Sequence, residues 1–150
     1  MEEPLRGNSR TERGLWKGKM MERAHGKDSI ESFVEEIING INKQGYGAFS
    51  LNDTSGYFSI QRAGAERYKN VACFVKNEYV LSISKYANIE RSFFDNSPYD
   101  RLKRRTSPPQ GLQLRRESWD LYPHHIEYVL KEDKDIIFQI CRKACENFQF

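Results

Sequence analysis

A run of basic residues is the feature of this sequence with the clearest chemical potential. Positions 101–116 hold six lysines and arginines and no acidic residue, in a chain of 150 residues with a formal net charge of +3. Clustered cations attract phosphate groups, because binding releases the counterions condensed on a nucleic acid. The sequence therefore predicts contacts to a phosphate backbone by Arg101, Lys103, Arg104, Arg105, Arg115 and Arg116. An ordinary solvated loop has the same composition, and this alternative stays open.

A second basic segment covers residues 1–27, which include Lys17 and Lys19. Its few apolar residues follow neither a helical nor a strand period, so we expect a disordered tail that adds phosphate contacts. The remaining residues, 28–150, are expected to form a single domain. Phosphate contacts position a protein without reading base sequence, so low sequence specificity is expected.

Two adjacent histidines, His124 and His125, follow the basic run. Cleavage of RNA without a metal needs a base, an acid and cations that stabilise the charged transition state. The histidines and Arg105 are therefore weak catalytic candidates. On a strand, however, neighbouring side chains point to opposite faces, so only one histidine could reach a shared site. We favour the interpretation that both are polar residues at the start of a strand.

Other motifs for catalysis or metal binding are absent from the sequence. It contains no glycine-rich phosphate loop, no H-E-x-x-H and no G-x-S-x-G. Asp53, Glu78 and Asp95 are interpreted as turn and cap residues rather than as ligands of a nuclease metal. We therefore expect no metal and no cofactor, and an enzyme is less expected than a binding protein.

The three cysteines, Cys73, Cys141 and Cys145, argue against a disulfide framework because their number is odd. Cys141 and Cys145 would share one face of a helix, and we expect them to be small core residues. The chain has no run of about 20 apolar residues that could span a membrane and no apolar leader. A reducing, cytoplasmic location without membrane contact is expected.

The spacing of apolar residues after the tail predicts which segments form helices and which form strands. A stripe of apolar residues from Ile30 to Ile41 predicts a helix that begins at Asp28 and ends near Lys43. A second stripe predicts a C-terminal helix, capped by Asp133 or Asp135. Between them, short runs with turn residues predict strands over 48–52, 57–62, 68–75 and 79–84, and a fifth around 126–130.

The sequence thus predicts an α+β fold. We expect an antiparallel meander of about five strands, with the N-terminal and C-terminal helices packed on one face. Alternation in Tyr79–Ser84 indicates a half-buried strand, and the proline-containing stretch 101–111 is expected to be a mobile loop. Exposed sheet aromatics such as Tyr57, Tyr79 and Tyr86 could stack on bases.

The order of elements over residues 68–148, with Trp119 before the last strand and a C-terminal helix, resembles the YjbR-like group. DNA binding is attributed to that group. The resemblance implies a small helix-flanked antiparallel sheet and assigns no site residue.

The sequence favours a small, non-enzymatic protein that binds DNA or RNA through its basic loop and tail. One alternative is a protein-interaction or inhibitor module of a mobile-element type, which binds a protein partner. A second alternative is a metal-free ribonuclease. The oligomeric state stays open.

Overall fold

A computed structural model of the chain describes residues 21–64, 70–112 and 118–149. These residues contain three α-helices, α1 (Met21–Lys43), α2 (Ser118–Leu121) and α3 (Lys134–Asn147). The chain divides into two units, Met1–Ser32 and Phe33–Phe150. The described part of the first unit is the beginning of α1, and the second unit contains the sheet. None of the described helices is long and apolar enough to cross a membrane.

Helix α1 begins seven residues earlier than the expected start at Asp28. Its apolar stripe is as predicted, because Ile30, Phe33 and Ile41 are all buried. The earlier start takes in residues 21–27, which the sequence assigned to the tail. Glutamate, arginine, alanine and lysine in that stretch have favourable helix propensities, which outweigh the cost of Gly26.

The sheet has six antiparallel strands, in agreement with the predicted α+β class. The strands are β1 (Phe49–Asp53), β2 (Tyr57–Arg62), β3 (Asn70–Val75), β4 (Val80–Ile83), β5 (Lys103–Arg105) and β6 (His124–Glu127). Their spatial order is β1-β2-β3-β4-β6-β5. The first four strands form the predicted meander, and β6 lies between β4 and β5.

The prediction of a mobile loop over 101–111 is wrong. Lys103–Arg105 forms the edge strand β5, and Gln110–Leu112 forms a turn of 3-10 helix. The fifth predicted strand is also displaced, since β6 ends at Glu127 and does not extend to residue 130. Local pattern could not reveal β5, because the described strand that pairs with it, β6, begins about twenty residues later in the sequence.

One face of the sheet carries the main core beneath α1 and α3. The ring centroid of Phe33 on α1 lies 5.9 Å from that of Phe74 on β3. The two helices approach each other closely, because a Cβ added to Gly40 of α1 would lie 2.9 Å from Phe138 of α3. The buried cysteines of α3, Cys141 and Cys145, face this core as predicted.

The opposite face of the sheet is also covered, which the sequence did not indicate. Leu112 and Tyr122 pack over Cys73 and Val75 of β3, and every residue of the neighbouring strand β4 is buried as well. The predicted half-buried strand is therefore wrong for β4. Leu112 and Tyr122 thus cover part of this face.

Candidate binding site at the edge of the sheet

The predicted phosphate contacts that the structure describes cluster at edge strand β5. Register partners in a sheet point to the same face. Lys103 and Arg105 pair with Glu127 and His125, whereas Arg104 pairs with Ile126 of the helix-covered face. Neighbouring cations of β5 therefore point to opposite sides of the sheet, and they do not form one continuous patch.

Each described arginine of this stretch donates to a carboxylate. Arg101 Nη2 lies 2.8 Å from Asp133 Oδ1. Arg104 Nη2 lies 2.9 Å from Asp95 Oδ1.

Arg105 Nη1 lies 2.6 Å from Glu78 Oε1, and Arg105 Nε is 4.0 Å from Glu127 Oε2. The sequence interpreted Glu78 and Asp95 as turn and cap residues, and the structure shows their carboxylates as ion-pair partners of arginines. The surface around β5 presents charges of both signs, which weakens the attraction for a polyanion.

Lys103 differs from these arginines, because it is exposed and forms no ion pair with any residue that the structure describes. The other predicted contacts, Lys17, Lys19, Arg115 and Arg116, lie outside the described residues. Of the eight predicted phosphate contacts, the structure thus places four and brings those four to one edge of the sheet.

An open cleft of about 320 Å³ lies beside β5. Its charged lining residues are Arg101, Lys103, Glu127, Glu132 and Asp133, and the exposed Val129 lies among them. The buried residues Leu102 and Tyr128 also line it. A volume of this size lies at the lower end of the range for ligand pockets and fits one or two side chains.

Asp133 fixes the shape of this cleft. Its side chain is 9% exposed and accepts two hydrogen bonds, from Arg101 Nη2 at 2.8 Å and from the Val129 backbone N–H at 2.7 Å. Arg101 Nη2 also donates to the Glu132 carbonyl oxygen at 3.2 Å. The sequence predicted Asp133 only as a helix cap. It occupies that position without a side-chain capping bond, because both of its oxygens are engaged here.

Two exposed apolar side chains, Val129 and Tyr79, neighbour Tyr128. Val129 is 53% exposed, and Tyr79 is 43% exposed with its ring centroid 5.8 Å from that of Tyr128. They are the large apolar residues of the described chain with the greatest exposure. Sequence reasoning missed Val129, whose only signal is its position just after the alternating Ile126 and Tyr128.

The two histidines have separate structural roles on opposite faces, as their adjacency predicts. His124 Nε2 lies 2.8 Å from the Ile89 carbonyl oxygen, and His125 Nδ1 lies 2.7 Å from Ser82 Oγ. Burial lowers the pKa of both rings, and that of His125 falls to about 4. Both are therefore neutral near pH 7. His125 is only 3% exposed, whereas His124 is half-buried and lies close enough to Arg91 and Arg104 for their charges to lower its pKa further.

The three cysteines are not accessible for reaction at the protein surface. All three cysteines are buried as free thiols, and burial raises the pKa of Cys73 and Cys145 to about 12. Within the described residues, no group of three or more histidine, cysteine, aspartate or glutamate side chains is arranged to hold a metal ion.

Comparison with protein-family models, curated proteins and solved structures gives no match. The likeness to the YjbR-like group therefore rests on the order of elements alone.

Proposed function

We propose that the chain is a protein-interaction module that binds its partner at the cleft beside β5. The observation that carries this proposal is the pairing of Arg101, Arg104 and Arg105 with carboxylates. A polyanion would have to displace or approach these carboxylates. A protein surface, in contrast, can match a mosaic of both charges.

Exposed apolar groups next to the cleft support the same proposal. Interface centres combine aromatic or aliphatic anchors with arginine, and they place an anchor in a pocket from which water is excluded. Val129 and Arg101 line the cleft, while Tyr79 packs on the ring of Tyr128 beside it. Because Asp133 holds both Arg101 and the backbone of Val129, this surface is fixed before a partner arrives.

The test is capture of partners by the full chain after nuclease treatment. We expect a nuclease-resistant partner whose recovery falls at least about ten-fold with Val129→Glu, since a charge would then occupy the apolar wall. Arg104→Gln is the matched control, because Arg104 is an ion-paired arginine on the opposite face of β5. Loss of all partners on nuclease treatment, or equal recovery by Val129→Glu, would contradict the proposal.

Nucleic-acid binding is a second candidate, which two unpaired cations favour. Arg91 and Lys103 are exposed and form no ion pair with any described residue, and the stacked rings of Phe93 and Tyr99 lie 4.4 Å apart near Arg91. Binding of short DNA and RNA should then weaken with salt. Lys103→Gln should reduce the slope of log affinity against log salt by about 0.9 for duplex DNA. An unchanged slope would remove Lys103 from this role.

A further inference from the structure

We propose that His125 is a pH-sensitive switch, whose protonation opens a cover on the face of the sheet opposite α1 and α3. The cover consists of the turn Gln110–Leu112 and of Tyr122, which pack on this face. The inference goes beyond the proposed function, because it concerns neither the cleft beside β5 nor a partner bound there.

Four buried polar side chains form a row on the covered face. They are register partners on neighbouring strands: Ser59 of β2, Cys73 of β3, Ser82 of β4 and His125 of β6. None of the four is more than 3% exposed. Ser59 Oγ has no hydrogen-bond partner among the described residues. Because water satisfies such groups, opening the cover costs less free energy here than it would over an apolar face.

His125 is connected to both parts of the cover. Its ring is hydrogen-bonded to the backbone of Tyr122, a contact that by itself favours the protonated ring. In the sheet it is the register partner of Arg105, whose Nη1 lies 2.6 Å from Glu78 Oε1. Glu78 Oε2 in turn accepts the backbone N–H of Gln110 at 3.1 Å. A positive charge on His125 therefore acts on the contacts that hold the turn and on the contact with Tyr122.

The surroundings of His125 oppose its protonation while the cover is closed. Burial has the largest effect, the charges of Arg105 and His124 act in the same direction, and together they lower the pKa of His125 to about 4. Two carboxylates lie nearby on the same side of the sheet, Glu78 and Glu127. Both are engaged by Arg105, at 2.6 Å and 4.0 Å. The closed state thus holds the ring neutral next to a fixed cation.

Opening of the cover admits water to the ring and returns its pKa toward 6.5. Between about pH 6.5 and pH 4 the open state then binds a proton that the closed state excludes, so acid favours the open state. From pH 7 to pH 5 these two pKa values increase the open fraction about twenty-fold. The carboxylates stay largely ionised in this range.

Cys73 reports the opening, because it lies beneath Tyr122 and is hydrogen-bonded to the Tyr122 side chain. The experiment measures its labelling in the native full chain by a dithiodipyridine, which reacts with thiols in acid. Each rate is divided by the rate in urea at the same pH. Cys145, buried in α3 on the other side of the sheet, is the internal control. We expect the corrected rate of Cys73 to rise about twenty-fold from pH 7 to pH 5 and to exceed that of Cys145 at pH 5.

Two variants separate the switch from other effects of acid. His125→Gln should remove the acceleration at Cys73, because the group that takes up the proton is absent. His124→Gln should keep most of it, since His124 lies on the opposite face, with Nε2 2.8 Å from the Ile89 carbonyl oxygen.

Three results would overturn this inference. Equal rates for Cys73 and Cys145 at pH 5 would show that the whole fold opens together. A corrected Cys73 rate that is the same at pH 7 and pH 5 would show that no proton is linked to opening. Both of these results need only the wild-type chain, so they hold even where a variant fails to fold. Undiminished acceleration in His125→Gln would assign the effect to another group.

Discussion

Replacement of His125 by glutamine should remove a large part of the acid sensitivity of the fold. His125 is buried against Ser82, and burial lowers its pKa from 6.5 to about 4. The nearby charges of Arg105 and His124 act in the same direction, whereas a hydrogen bond to the Tyr122 backbone opposes them. The native state thus excludes a proton that the unfolded chain accepts.

The sign and size of the effect follow from proton linkage. Between about pH 6.5 and pH 4 the unfolded chain binds more protons at this position than the native state, so stability falls as the pH falls. Each unit of difference between the pKa values of the unfolded and native states corresponds to about 1.4 kcal/mol, so the shift of His125 amounts to about 3 kcal/mol of unfolding free energy. The contribution of His125 is complete above pH 6.5 and is lost once the pH has fallen through about 4.

Urea unfolding from pH 7 to about pH 4 measures this contribution as the difference between wild type and His125→Gln. Groups that titrate in both proteins cancel in the difference, which should shrink by about 3 kcal/mol as the pH falls. His124→Gln is the comparison variant: it removes the charge and the lowered pKa of His124 but leaves His125 buried, so part of the acid sensitivity should remain. Parallel stability curves for wild type and His125→Gln would refute the reasoning that burial keeps this ring neutral.

Three further predictions concern the packing and the buried groups of the fold. Gly111→Ala should destabilise the fold by about 1–3 kcal/mol in urea unfolding, because the new Cβ would lie 2.7 Å from the Gly56 carbonyl oxygen. Asp133→Asn should lower the unfolding free energy by about 1–3 kcal/mol, since a buried charged acceptor of two hydrogen bonds is lost. A thiol reagent at neutral pH should leave Cys73 and Cys145 unmodified in the native protein, because both thiols are buried and their pKa values are raised. Mass spectrometry should show that both are labelled in urea. Rapid labelling of the native protein would contradict their burial.

The sequence predicted the elements that have a regular period. Both apolar helical stripes are buried, and the first four strands are neighbours in the sheet in the order in which they occur in the sequence. Strand β5 escaped prediction because it consists of three charged residues at an edge, where no apolar alternation is required.

The cleft could not be predicted because its contacts join residues that are distant in sequence. Arg101 and Asp133 are 32 residues apart, and Arg105 and Glu78 are 27 apart. A local run of cations carries no information about carboxylates that the fold brings from elsewhere. The sequence also did not show which face of the sheet each residue of β5 points to, because that depends on the pairing of β5 with β6.

Site-specific photo-crosslinking at Val129 tests the central claim most directly. A photoreactive amino acid at this position should give, in the cell of origin, an adduct that resists nuclease and is destroyed by protease. The same amino acid at Lys85, an exposed position just after the far end of β4, should give no such adduct. An adduct at Val129 that nuclease removes, or equal adducts at both positions, would contradict a protein-binding cleft.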